Sequence, residues 1–292
     1  MVAEEAGVAR ARSEGADVDS ESHTLSRTRS RVVAWASAAS ALVASAVFAT
    51  AVLMPQETDA SPVAASLEFD GSKTIEQIVA DAGADLAAIA GPDEPARSVQ
   101  VAAWVASADD ATIEPEIVEL DWNEDLSGEL VRFASVPTGS GDAFLPGGIV
   151  LEQTMAVGEL DSPFVDLPGE SLAAVTELLH AYGMPDDPTA GDVVRAIRAA
   201  LDQWTLTNVQ HAAMLGLVVE AGDVTAAGDA VDRLGRAVAG VRVPSTDADS
   251  HDVLLISTES GRIVGVETTV GIAEERTLAG YRLWGVDVGV RR

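Results

Sequence analysis

The order of the periodicities along the chain predicts an α+β fold. Three observations carry this. An uncharged run of 23 residues, Val32 to Met54, precedes every other regular segment. Segments of period two then occur in an early and a late group, and stretches of helical period lie between the groups. Sheet, helices and sheet in that order place early and late strands in one antiparallel sheet, with the helices on one of its faces.

The first element is the apolar run. It holds no charge, proline or glycine, and at 1.5 Å per residue a helix of this length crosses a hydrocarbon core roughly 30 Å thick. A lone helix satisfies its own backbone groups in lipid. Arg27, Arg29 and Arg31 precede the run; Glu57, Asp59, Glu68 and Asp70 follow it, and the first downstream cation is Lys73. The positive-inside rule then puts the N-terminus in the cytoplasm and the rest outside. Trp35 sits at the inner end as an interfacial anchor. The competing reading is a signal peptide cleaved after Ala60, at Thr58-Asp59-Ala60. The run is longer than an ordinary signal core of about 7–15 residues, which favours a retained anchor. The expected layout is a disordered cytoplasmic leader (1–31), a transmembrane helix (32–54), a linker with Pro55 and Pro62 (55–72) and an extracytoplasmic α+β domain (73–292).

Thr74-Ile75-Glu76-Gln77 reads as a capping box. It opens a helix in which Ile75, Ile78, Val79, Ala82, Leu86 and Ile89 recur at helical spacing, and Gly91-Pro92 ends it. Val99, Val101, Ala103 and Val105 alternate, as do Val118, Leu120 and Trp122, then Val131 and Phe133, which predicts three antiparallel strands. Residues 137–169 are rich in Gly and Pro and read as a long connection with a short strand around 149–157. Four helical stripes follow: Leu172 to Tyr182, Val193 to Trp204, Leu206 to Leu217, and Val224, Ala227, Val231, Leu234 and Val238, the last with the cleanest spacing. The tail returns to strands at 253–257, 263–270 and 278–290, with Glu259-Ser260-Gly261 as a turn. About 238 residues lie beyond the apolar run, enough for one large domain.

Composition excludes whole classes of function. There are 18 Lys+Arg against 47 Asp+Glu, a net charge of −29. Of these, 13 and 41 lie beyond the apolar run. Such a surface repels nucleic acid and anionic head groups, so no nucleic-acid partner is expected. The chain has no cysteine, which removes disulfides, thiolate metal sites and a lipoprotein anchor. Lys73 is the single lysine beside 17 arginines, a bias typical of GC-rich genomes.

Met184-Pro185-Asp186-Asp187-Pro188, the paired helices after it, Val241-Arg242-Val243 and the hairpin from Asp252 to Gly265 together resemble an uncharacterised family of actinobacterial single-pass membrane proteins. Members of that family commonly carry a short leader, one span, and an outer domain with an LPTDP element and a glycine-containing hairpin. Here MPDDP replaces the usual motif start. The resemblance implies a LolA-like half-barrel enclosing a hydrophobic cavity. The expected fold is therefore a transmembrane helix followed by an antiparallel curved sheet packed on a helical block. The family offers no catalytic residues to carry over.

Signatures of chemistry are sparse. His23, His180, His211 and His251 fit no zinc spacing. Asp121-x-Asn123-x-Asp125 has a calcium-like start, but Leu126 and Arg132 occupy the positions where such a loop needs Gly and Glu. Asp247, Asp249 and Asp252 form a second acidic cluster without those residues, and a polar turn is the simpler reading of both. Lys73 lacks a phosphate-loop context, and Gly139-Ser140-Gly141 is not a nucleophile elbow. His251-Asp252 are adjacent in a chain full of aspartates. Trp104, Trp122, Trp204 and Trp284 lie at apolar periodic positions and read as core side chains with N–H partners. The expectation is no catalytic, cofactor or metal residue, no cofactor, and no enzyme. It is a membrane-tethered binding or sensing module, in the bilayer through 32–54, with a lipid, a cell-wall component or a protein as ligand. The alternatives are an anti-sigma-factor-like regulatory membrane protein and an exported hydrolase.

Overall fold

Thr74 opens helix α1 (Ile75–Ala88) as the capping box predicts. Its hydroxyl accepts the Gln77 N–H at 3.3 Å, and the Gln77 side chain accepts the Thr74 N–H at 2.9 Å. The computed structural model describes residues 66–106, 113–137, 144–245, 250–271 and 277–285. The leader, the apolar run at 32–54 and most of the linker lie outside the described residues. Among the described residues no helix is long and apolar enough to cross a membrane.

Three further helices carry the same kind of start. α2 (Leu172–Ala181) is capped by Ser171, α3 (Ala190–Leu201) by Thr189 with Asp192, and α4 (Asn208–Glu220) by Thr207 with Gln210. Each cap satisfies N–H groups that the helix itself leaves open, an effect of about 1 kcal/mol apiece. The far end of α1 is closed by a distant side chain: the Asn208 amide donates to the carbonyls of Leu86 at 3.1 Å and Ile89 at 2.8 Å. A Cβ on Gly91 would stand 2.3 Å from the Asn208 side-chain oxygen, so this close approach requires glycine.

The strands are β1 (Ser98–Ala106), β2 (Ile113–Trp122), β3 (Gly128–Pro137), β4 (Phe144–Met155), β5 (Thr225–Val231), β6 (Ala237–Pro244), β7 (Ser250–Ser257), β8 (Ile263–Val270) and β9 (Thr277–Trp284). They form one curved sheet of nine strands in the order β4-β3-β2-β1-β9-β8-β7-β6-β5, with every pair antiparallel. The chain lays β1 to β4 out to one edge and crosses through α2, α3 and α4. It then returns from the other edge, and β9 closes onto β1 with Val101 opposite Trp284. Early and late strands thus share one sheet, as expected from the sequence.

Both faces of that sheet are buried. Val99, Val101, Leu120, Trp122, Val241, Leu254, Ile256 and Val266 pack on the helices. Ala102, Ile117, Phe133, Val238, Val253, Leu255 and Leu283 form a second core on the opposite face, where Leu67 and Phe69 pack against them. Burial on two sides explains why Val253 to Ile256 read as a continuous apolar run rather than an alternating one. Fully burying each such side chain is worth about 1.5–3 kcal/mol.

The last residues of the linker belong to this second core. Asp70 and Gly71 donate their N–H groups to the Asp229 and Ala227 carbonyls at 3.1 Å each. The Asp70 carboxylate accepts the Asp229 N–H at 2.9 Å. The Leu67 N–H meets both carboxylate oxygens of buried Glu267, at 3.0 and 3.2 Å.

Two expectations are corrected. Residues 224–238 are not a helix but the β5–β6 hairpin. Its turn is built by Asp232, whose carboxylate accepts the Leu234 and Arg236 N–H groups at 2.9 Å each, and by Gly235 at φ +77°. The connection at 137–169 contains a full strand of 12 residues, β4, which starts before the short segment expected around 149–157. Pro146 and Gly147-Gly148 mask it in the sequence. In the tail, β9 ends at Trp284, and residues 286–290 of the expected strand lie outside the described residues.

Candidate functional site

β9 stops at Trp284, while its two neighbours begin further out in the same direction. The last described partners are Val101 of β1 for Trp284 and Gly265 of β8 for Leu283. Gly285 turns away at φ +66°. The stop has a physical agent in Arg236, on the β5–β6 hairpin. Its guanidinium donates to the Trp284 carbonyl at 2.7 Å and the Val264 carbonyl at 3.1 Å, and it is held by the fully buried Asp232 carboxylate at 2.7 Å. A charge-assisted pair thus occupies acceptors that a longer strand would use.

Beyond that end the described residues leave a cleft of about 350 Å³. Ser98, Val99 and Gln100 of β1, with Arg262 just before β8 and Ile263 and Val264 of β8, form its sides. Trp204, Thr205 and Leu206 of the α3–α4 connection, with Trp284 and His211, close it below, and Glu119 and Asp121 of β2 stand at its rim.

The tryptophans are fixed from behind. The Trp284 N–H donates to the Asp202 carboxylate at 3.0 Å, which also pairs with Arg282. The Trp204 N–H donates to the Tyr182 hydroxyl at 3.0 Å, and that hydroxyl donates to the Gln203 side chain at 2.7 Å. Burial pushes the Tyr182 phenol up to about 12, so it stays protonated. Trp122 meets Trp204 edge-to-face, with centroids 4.9 Å apart, and donates to the Gln203 carbonyl at 2.8 Å. The Arg97 guanidinium lies over both rings, at 5.4 and 5.3 Å. Core packing with N–H partners is therefore the role of these three tryptophans; the Trp104 side chain lies outside the described ones. Trp204 sits in the connection after α3 rather than within the helix.

The basic groups of the cleft are committed to the fold. Arg262 donates to the Leu206 carbonyl at 2.7 Å and to the Asn208 side chain at 3.2 Å, which ties β8 to the start of α4. The Ile263 N–H donates to His211 Nδ1 at 3.2 Å, and Arg262 lies 3.1 Å from Nε2. Burial, then the Arg262 charge, pushes His211 down to about 3, so the ring is neutral. A neutral imidazole has one acceptor nitrogen, and in either tautomer that nitrogen faces an N–H donor, Ile263 at Nδ1 or Arg262 at Nε2. His211 has no free acceptor to serve as a general base. At the rim the Gln100 amide donates to Glu119 at 2.7 Å, and Asp121 is exposed. The cleft thus has an aromatic and aliphatic floor and an acidic rim.

The residues singled out by sequence do not converge. His180, His211 and His251 lie on α2, α4 and β7. His180 Nδ1 donates to the Met184 carbonyl at 2.7 Å, which ties the end of α2 to the segment that follows it. Asp125 accepts the Ser127 N–H at 3.0 Å and hydroxyl at 2.6 Å, which hold its carboxyl below the usual range; Asn123 also bonds Ser127. Asn123 and Asp125 therefore belong to a polar β2–β3 turn, while Asp121 is paired within β2 opposite Ser98 and Glu129. Asp252 accepts the Thr268 hydroxyl at 2.6 Å, whereas Asp247 and Asp249 lie outside the described residues, as do His23 and Gly139-Ser140-Gly141. Lys73 bridges Asp81 at 3.3 Å and Asp229 at 3.2 Å. Among the described residues no group of three or more His, Asp or Glu side chains is placed to hold a metal ion. Sequence reasoning missed Arg236, Arg262 and Glu267, whose partners are far away in the chain.

No protein-family model matches the sequence. No curated protein matches it. No solved structure matches its fold.

Proposed function

We propose that the chain is a single-pass membrane protein, with a cytoplasmic N-terminus, whose extracytoplasmic α+β domain is a binding or sensing module rather than an enzyme. The observation that carries the binding role is the cleft beyond β9. Its tryptophan floor offers apolar contact, Glu119 and Asp121 offer negative charge, and Arg262 and His211 are engaged within the fold. Such a lining suits a small molecule, or the end of a larger one, with an apolar body and a cationic or neutral polar head. Lipid-like and cell-wall components with amine or hydroxyl heads fall within that class, while phosphate-headed anions meet a like charge. The tether rests on the 32–54 run and the arginines before it.

The test has two parts. Protease added to intact cells is expected to remove the C-terminal domain, and fractionation to leave the full-length chain in membranes. Native mass spectrometry of the chain extracted from its own membranes is expected to show one bound small molecule, released by Thr205→Trp, which fills the cleft. A protected C-terminal domain or a cytosolic chain overturns the topology. A chain that carries no small molecule, or carries it equally after Thr205→Trp, overturns the binding role.

A further inference from the structure

Among the described residues β4 is an edge strand, with β3 as its one neighbour in the sheet. Its first half is unsuited to further pairing: Pro146 has no N–H to donate, and the register slips between Pro146 and Leu151. Its second half returns to regular pairing, with Leu151 to Met155 opposite Arg132 to Gly128. Where the slip gives way to regular pairing, Ile149, Val150 and Leu151 are 59%, 65% and 40% exposed. Leu151 lies opposite Arg132 and Ile149 opposite Phe133, with Val150 as the extra residue of the bulge between them. Arg132 and Phe133 are successive residues of β3 and point to opposite faces, so Leu151 and Ile149 leave unburied apolar surface on both faces of the edge. Every second residue of an edge strand also directs its N–H and C=O outward.

That combination selects the kind of occupant. A helix or a lipid surface covers one face and leaves the outward backbone groups unpaired. An added β-strand takes those groups and brings side chains to both faces at once. Charge selects further. Glu152 lies on the strand, and Glu159, whose carboxylate accepts the Ala156 N–H at 2.6 Å, follows just beyond the strand's end. Arg132 of β3, opposite Leu151, pairs with Glu116 at 3.7 Å. A second copy of this chain would bring the same acids and a net charge of −29 to the contact, which opposes self-pairing.

We propose that the β4 edge from Ile149 to Met155 is a strand-acceptor site for an extended segment of a partner protein, apolar at alternate positions and flanked by Lys or Arg. The partner adds a strand to the sheet beside β4, covers Ile149, Val150 and Leu151, and sets its cations against Glu152 and Glu159. This site is separate from the cleft beyond β9 and does not depend on it.

The test uses the full chain in detergent and a fluorescent peptide that alternates Val and Thr between Lys-Arg ends. Saturable binding by fluorescence anisotropy is expected, with new amide-exchange protection at 149–155. Methylating alternate backbone nitrogens of the peptide, which removes donors and keeps side chains and charge, is expected to weaken binding at least about tenfold. Exchanging its Lys and Arg for Glu is expected to abolish it. Val150→Lys and Leu151→Lys are each expected to weaken it to a similar degree, in chains whose circular dichroism is unchanged. The N-methyl comparison needs no variant and so stands even if these fail to fold. Equal binding of the methylated peptide, protection at another strand, or sedimentation of the peptide-free chain as a dimer protected at 149–155 overturns the proposal.

Discussion

The two edges of this sheet differ in how their open backbone groups are met. At the β5 edge the chain covers itself. Asp70 and Gly71 bond the Asp229 and Ala227 carbonyls, the Asp70 carboxylate takes the Asp229 N–H, and Lys73 bridges to Asp229. Gly228, at φ +103°, makes room for this, since a Cβ there would stand 2.3 Å from the Gly71 nitrogen. At the β4 edge no described segment does the same, and Ile149, Val150 and Leu151 stay exposed. Natural sheets manage their edges, because an open edge templates further pairing. An edge sealed by the segment next to the proposed tether is a structural closure. An edge left apolar and open on the same sheet is a place for another chain.

The sharpest way to break this contrast is to open the sealed edge. Gly228→Val places a β-branched residue at positive φ and drives it into Gly71. The expected cost is roughly 2–4 kcal/mol, read from the guanidinium midpoint, with the Gly71 amide exchanging faster. A midpoint equal to the parent's would mean that the segment at 67–71 does not seal the edge. A smaller effect is expected for Phe69→Ala. The ring lies against Gly240, where a Cβ would come within 2.4 Å of it, and under Arg242 at 5.9 Å. The ring is half-buried, so about 1–2 kcal/mol is expected in the same denaturation experiment.

Glu267 makes the sealed edge sensitive to pH. Burial, opposed by the Leu67 N–H and the Arg233 charge, raises its pKa above the ordinary glutamate value. The folded chain therefore holds this proton to higher pH than the unfolded chain does. The stability this group contributes is fully present below the ordinary glutamate range and is lost as pH rises through its raised folded value. Glu267→Gln should flatten that part of the stability–pH curve, measured by denaturant midpoints across the acid range. An unchanged slope would show that the carboxyl is solvated. The smallest effect is expected at the open edge, where Val150→Lys should leave stability within about 0.5 kcal/mol. A larger loss would mean that Val150 packs against the fold rather than standing free for a partner.

Local chemistry was legible where it closes on itself within a few residues. Thr74 with Gln77, and the alternation of Val99, Val101 and Ala103, mark α1 and β1 without help from the rest of the molecule. The β5–β6 hairpin was not legible. Val224, Ala227, Val231, Leu234 and Val238 satisfy helical spacing, and Ala, Val and Leu are accepted by both structures. The decision lay with Asp232 and Gly235, which build a turn, and with a sheet that buries Ala239 and Val241 on one face and Val238 on the other. β4 was hidden by Pro146 and two glycines, which read as loop and are tolerated because the strand is an edge. At the cleft, the tryptophans were recognisable as buried anchors. The stop at Arg236 and the engagement of His211 depend on partners 48 and 52 residues away, and no local pattern encodes them.

By itself the sequence determined the acidic surface, the absence of disulfides, the helix starts and the strand–helix–strand order, because composition and short-range hydrogen bonding are carried by neighbouring residues. Only the tertiary structure decided that β9 is the strand that pairs with β1, with Val101 opposite Trp284, and that a cleft opens where β9 ends. It also decided that one edge is sealed by residues 69–71 while the other stays open. Each of these depends on which distant backbone groups and side chains meet, and burial, rather than local preference, fixes that choice.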